Sequence, residues 1–263
     1  MTEDTELVSV PGGAMALPAD LVGDLEDLAL TGEELGSSML DMLAIYSNDK
    51  GRWKCGETKK DAVVGIYLHG FNTVRSYWPP DAPMGESPPL CWSPDSDVPH
   101  EDSGEPQHKS CEGCPWDQFK TAKQGTGKGC KTKRADFIIE VDPDKLTVDE
   151  HGVQQLSADA VIGLALIRGS STAKGTRKSV GQWAKEIQAN VRGIPQLALT
   201  RWELGDEPGP AGDYSAPRLH YVGAYSAERE ALEEVIDTAK SLRDGEAIAM
   251  LATLAGKTVT EEE

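Results

Sequence analysis

The first 49 residues contain no lysine and no arginine, yet they carry eleven Asp or Glu. A segment so biased in charge and so poor in aromatic residues buries too little apolar surface to fold alone, so a loosely ordered start is expected. Nowhere in the 263 residues does an apolar run approach the ~20 residues that cross a bilayer. The opening MTEDTELVSV has neither the basic nor the apolar region of a secretory signal. A cytoplasmic location is therefore expected, without membrane contact, where thiols stay reduced. Catalytic signatures are missing as well. There is no G-x-S-x-G motif, no recognisable carboxylate pattern of a metal nuclease, and no H-x-E ahead of a P-C-x-x-C. The five histidines are scattered at 69, 100, 108, 151 and 220. GTGKGC, at 125–130, ends in cysteine and lies inside a loop, so it is not a phosphate loop. An enzyme is not expected; dispersed carboxylates holding magnesium are the least favoured reading. No internal repeat is visible.

Basic residues are present, but in the middle of the chain. From Lys50 to Arg201 there are 21 basic and 19 acidic residues, and from Ala224 onward ten acidic and four basic. The net charge of −18 therefore belongs to the two ends. Acidic ends solubilise, compete with a polyanion for a basic groove, or recruit partners.

Strand-like runs are LDMLAIYSN, RWKCGET, DAVVGIYLHGF, ADFIIEVD, AVIGLALIRG, PQLALTRWEL and RLHYVGAY. SVGQWAKEIQAN has helical spacing, with Val180, Trp183, Ala184 and Ile187 on one face. PADLVGDLEDLAL could form a short acidic helix. SAEREALEEVIDTAKSLRDGEAIAMLATLAG is helical, with Ser226 as expected N-cap. These elements make a mainly β protein with α (α+β), expected as an OB-like barrel with C-terminal helices. The expected organisation is an acidic segment 1–38, a domain 39–225 with a cysteine-rich insertion 79–134, and a helical segment 226–263 with an acidic tail.

The insertion is too long for an ordinary connection and is nearly devoid of aliphatic side chains, so something other than an oil core must hold it. Four of the five cysteines lie in it. Cys91, Cys111, Cys114 and Cys130 are separated by nineteen, two and fifteen residues. One C-x-x-C knuckle flanked by two further thiols suits tetrahedral zinc, and four thiolates leave no open position, so the metal would be structural. An iron–sulfur cluster accepts the same donors, and His100 or His108 could replace a cysteine. The glycines before Cys130 would supply the turns that bring it to the metal. Cys55 reads as a small core residue.

Two basic runs stand out. Lys120, Lys123, Lys128, Lys131, Lys133 and Arg134 are accompanied by Asp117 alone. Arg168, Lys174, Arg177, Lys178, Lys185, Arg192 and Arg201 are accompanied by Glu186 alone. Such runs suit a groove that follows a phosphate backbone. Aromatics sit beside cations in Arg52-Trp53-Lys54, Arg75-Ser76-Tyr77-Trp78 and Arg201-Trp202, and Trp92 and Trp116 adjoin the cysteines. Exposed aromatics among cations stack unpaired bases; buried ones are core.

The stretch from Tyr77-Trp78-Pro79 through CWSPDSDVP and CEGCPWDQFKTAKQGTGKGCKTKR into ADFIIEV resembles phage-encoded proteins with a C-x-S-x-D…C-x-x-C-P…G-K-G/A-C-x-x-x-R signature. The plan is similar to that of T4-type phage single-stranded DNA-binding proteins: an OB-fold with an inserted zinc subdomain and an acidic C-terminal segment. The T4-type zinc site includes a histidine and has different spacings, and the tail here, TVTEEE, is short. The resemblance implies a strand-binding protein of replication or recombination with little sequence preference. Zinc would sit on Cys91, Cys111, Cys114 and Cys130. DNA would meet Arg52, Trp53, Arg75, Tyr77, Trp78, Trp116, Lys120, Lys123, Lys128, Lys131, Lys133 and Arg134. It would also meet Lys174, Arg177, Lys178, Arg201 and Trp202. Replication or recombination proteins would dock on the acidic C-terminal segment. The alternative is a zinc-stabilised interaction module that does not touch DNA.

Overall fold

The computed structural model describes residues 7–9, 16–18, 43–78, 89–122, 127–151, 153–170, 173–208, 213–243, 247–248 and 250–251. Within the acidic start, β1 (Leu7–Ser9) and β2 (Ala16–Pro18) pair antiparallel. Pro18, the first residue of the expected acidic helix, ends β2, and the rest of that stretch lies outside the described residues.

A meander follows: β3 (Ala44–Asp49), β4 (Arg52–Cys55) and β5 (Thr58–Lys60). Lys50 and Gly51 both have positive φ, at 52° and 83°, which is the twist a two-residue hairpin needs. The long β6 (Ala62–Tyr77) runs into the cysteine region, where the short β7 (Cys91–Ser93) pairs with its end. Next come β8 (Lys131–Val141), β9 (Thr147–Val148), β10 (Gln154–Leu156), β11 (Val161–Ser170) and helix α1 (Lys174–Val191). The chain continues through β12 (Ala198–Glu207), β13 (Tyr214–Ala227) and helix α2 (Arg229–Ser241).

The protein is mainly β with two helices among the described residues, an α+β architecture. The strands from β3 onward form one sheet in the order β5-β4-β3-β11-β8-β6-β12-β13-β10-β9, with β7 beside β6. The path does not return on itself, so the sheet is open where the sequence suggested a closed barrel. It curls instead. Trp53 Nε1 of β4 donates to the Trp202 carbonyl of β12 at 2.9 Å, and Asn48 Nδ2 of β3 donates to the Ser215 carbonyl at 2.9 Å. One end of the sheet thus folds over strands five places away.

The core lies inside this curl and under the helices. In β8, Arg134 through Val141 are all buried, which fits a central strand covered on both faces. Trp53, Trp202, Phe137, Ile138 and Leu166 have no solvent exposure. On α1 the inward residues are Thr176, Ser179, Trp183, Ile187 and Val191, an i, i+4 stripe. Trp183 packs on Tyr67 at 5.2 Å and donates to Thr200 Oγ1 at 2.9 Å. Ala184, expected on that face, is exposed. The expected N-cap Ser226 lies in β13, which continues through Ala227, and Glu228 takes the cap position without a side-chain bond. Leu232, Val235, Ile236 and Ala239 of α2 join the same core. No described helix is long and apolar enough to cross a membrane.

Candidate nucleic-acid interface and cysteine lobe

Two of the expected metal ligands are set by one turn. Cys114 N donates to the Cys111 carbonyl at 3.4 Å, and Gly113 between them has φ of 75°, a backbone state that favours glycine. Pro115–Asp117 then forms a short 3₁₀ turn, and Asp117 N donates to the Cys114 carbonyl at 3.0 Å. Cys91 arrives on β7. Cys130 is held by its own N–H, which donates to the Trp116 carbonyl at 2.8 Å. Gly129 makes that approach possible, since a Cβ there would meet Trp116 Cε3 at 3.0 Å.

The lobe around these turns has hardly any aliphatic packing. Arg75 Nη1, from β6, donates to the Cys111 carbonyl at 2.8 Å and pairs with Asp117 at 3.1 Å. Lys128 Nζ pairs with the other Asp117 oxygen at 2.9 Å. Trp116 lies against the buried Tyr77, with centroids 4.6 Å apart, and Trp92 stacks on His100 at 4.2 Å. Aromatic contacts and charge-assisted hydrogen bonds do here what aliphatic packing does in the sheet.

Cys91, Cys111, Cys114 and Cys130 all border a single cavity of about 20 Å³, with His108, Trp116 and Tyr77 also on its wall. Burial pushes the Cys130 thiol up to about 12 and raises the Cys111 thiol; the nearby cysteines add to both effects. Among the described residues, no group of three or more His, Cys, Asp or Glu side chains is already arranged to hold a metal ion. The donor set still fits zinc in kind: four thiols and one imidazole around a space of single-ion size. Of the two histidines, His108 lines the cavity and directs Nδ1 to the Ser110 carbonyl at 2.7 Å, while His100 is stacked on Trp92. Cys55 packs against the sheet core.

A second, larger concavity of about 620 Å³ opens beside the lobe. Lys128, Lys131, Lys133 and Arg168 line it, with Phe119, Thr132, Ser170, Ser47, Asn48 and Ser215. No carboxylate lines it among the described residues. Phe119 is 72% exposed, and Lys128 Nζ lies 5.4 Å from its ring centroid. Lys133 Nζ lies 6.0 Å from the Trp78 ring. Burial and the adjacent Arg168 charge push Lys133 down to about 8, and burial lowers Arg168 as well. Cys130 borders this groove and the cysteine cavity alike.

Other expected DNA contacts are placed elsewhere. Trp53 and Trp202 are core residues with no exposure, so neither can stack a base. Tyr77 is buried against Trp116. Arg134 is 4% exposed; its Nε pairs with Asp136 at 2.6 Å, and Asp136 also accepts from Trp202 Nε1 at 3.1 Å. Arg75 is committed to Cys111 and Asp117. Charge next to an aromatic in the sequence indicated exposure, but Trp53 and Trp202 are buried while Arg52 and Arg201 beside them are exposed. Arg52 is paired with Asp61 at 2.7 Å, and Arg201 is paired with Glu203. Lys174, Arg177 and Lys178 are exposed on α1, but the groove has no lining residue from that helix. Trp116 lines the cysteine cavity. Lys120 is exposed next to Phe119, and Lys123 lies outside the described residues.

Sequence reasoning missed Phe119 as a groove residue and separated Arg168 from the lysines. The signal for Phe119 was its setting, DQFKT, without an apolar neighbour. Arg168 joins Lys133 only through the antiparallel pairing of β11 with β8, which places Ser170 opposite Lys133 and Arg168 opposite Ala135.

The chain matches no protein-family model, no curated protein and no solved structure.

Proposed function

We propose that the protein is a non-catalytic single-stranded DNA-binding protein of phage DNA replication or recombination, and that it binds through the groove beside the cysteine lobe. The observation that carries this reading is the groove's composition: four cations, no carboxylate among the described residues, and one exposed phenylalanine in a protein of net charge −18. Cations neutralise phosphates without reading sequence, and an exposed ring stacks any base. A duplex hides its base faces, so the phenylalanine favours a single strand. The open, curled sheet serves as an OB-like wall, and the lobe forms the opposite side.

Structural zinc on Cys91, Cys111, Cys114 and Cys130 belongs to the same reading. When bound it would neutralise thiolates and fix a segment that has no oil core. Because Cys130 borders both cavity and groove, fixing the thiols also fixes Lys128 and Lys131 on either side of it. The acidic C-terminal segment would serve replication or recombination partners.

Anisotropy of a labelled oligonucleotide tests this reading. A single strand is expected to bind tightly at low salt and much more weakly at high salt, with a duplex of the same length far weaker. Equal affinity for the two forms, or no salt dependence, would overturn it. Absence of binding by folded, metal-loaded protein would leave the interaction-module reading in its place.

A further inference from the structure

Lys133 and Arg168 differ from the other cations of the groove. Lys128 is neutralised by Asp117, and Lys131 donates to the Lys128 carbonyl at 2.8 Å. Lys133 and Arg168 have no carboxylate partner among the described residues, although both are half-buried. They occupy diagonal positions on paired strands, so their side chains leave the same face of the pleat. Burying one unpaired cation is costly, and placing a second beside it adds repulsion. A folded protein keeps such a pair where a ligand supplies the missing negative charge.

We propose that Lys133 and Arg168 form a two-cation subsite that takes one phosphate group, in the role of a phosphodiester of the bound DNA. This rests on the single-strand reading. Arg168 presents a planar fork to two phosphate oxygens, and Lys133 adds a point charge held near the Trp78 ring. Ser170, opposite Lys133 and on the groove wall, supplies a hydroxyl donor. The other titratable or polar groups lining the groove are Lys128 and Cys130 from the lobe, Lys131 and Thr132 from β8, and Ser47, Asn48 and Ser215 from β3 and β13, with Phe119 beside Lys128. No carboxylate is among them, and burial keeps the Cys130 thiol protonated in the free protein.

The subsite makes binding sensitive to pH. In the free protein Lys133 titrates near 8. A phosphate beside it raises that value in the complex. Below pH 8 both states hold the proton and affinity is constant. Above pH 8 the free protein loses a proton that the complex keeps, so affinity falls by up to about tenfold per pH unit until the bound value is reached.

The test measures the affinity of the full chain for an oligo-dA strand at fixed ionic strength between pH 6.5 and 9.5, in wild type, Lys133→Arg and Lys133→Met. In parallel, the side-chain Nζ resonance of Lys133 is titrated with and without inorganic phosphate. The expected result is a wild-type affinity that weakens above pH 8, a Lys133→Arg affinity that does not, and a Lys133→Met protein that binds roughly tenfold less at pH 7. Lys133→Met should melt no lower than wild type, because it removes a desolvated charge. Tight but pH-independent binding, with Lys133→Met equal to wild type, would overturn the subsite and leave the single-strand reading intact. Failure of all proteins to bind DNA, with phosphate still raising the Lys133 titration, would keep the subsite for a free phosphate and overturn the single-strand reading. No response to either ligand would overturn both.

Discussion

The sheet and the cysteine lobe solve the same problem by different means. The sheet buries aliphatic and aromatic side chains from β3 to α2 in one continuous core. The lobe, from Cys91 to Cys130, has two tryptophans, a network of backbone bonds, one Arg–Asp–Lys chain and four thiols around a small cavity. A core made of area resists local change; a lobe made of a few directed contacts has single points of failure. The groove lies where the two meet. Its lobe side carries Phe119 and Lys128, and its sheet side carries Lys133, Arg168 and Ser170.

The largest contrast should come from removing one keystone on each side. Trp202→Ala removes a side chain with no exposure and its bond to Asp136, and should cost ~3–5 kcal/mol of global stability in denaturant unfolding. Cys114→Ser should leave that global transition in place. It should abolish bound zinc, expose 91–130 to limited proteolysis, and weaken single-stranded DNA roughly tenfold or more, since ~1.4 kcal/mol is a factor of ten. Equal loss of both regions in either variant would erase the distinction.

Smaller changes sharpen it. Phe119→Ala should leave the melting temperature unchanged, because the ring is 72% exposed, yet cost ~1–3 kcal/mol of DNA binding through the lost base stack. Lys131→Ala should weaken binding for all sequences alike and reduce the salt slope by about one. Lys185→Ala, on the exposed part of α1, should change neither.

The two regions were not equally legible in the sequence. Runs such as ADFIIEVD and AVIGLALIRG gave strands because β-branched density survives any register. The mainly β class with two helices followed from them. Barrel closure did not, because pairing between distant strands is set by side-chain fit that no local pattern records. The cysteine spacing pointed to one cluster, and all four thiols do border one cavity. The DNA-contact residues were harder. Arg134 and Trp202 look alike in sequence to surface residues, but a shared Asp136 draws both inward. Phe119, set in DQFKT without an apolar neighbour, is the most exposed large hydrophobic among the described residues. Adjacency of charge and ring says only that the two side chains are neighbours; strand alternation and buried partners decide which faces water.

The central claim is that DNA lies in the groove and not along the basic face of α1. Photocrosslinking a single-stranded oligonucleotide to the full chain, followed by peptide mapping, tests it most directly. The account predicts adducts on Phe119 and on the peptide from Lys128 to Lys133. Adducts confined to α1 at 174–185, with the lobe unmarked, would contradict it.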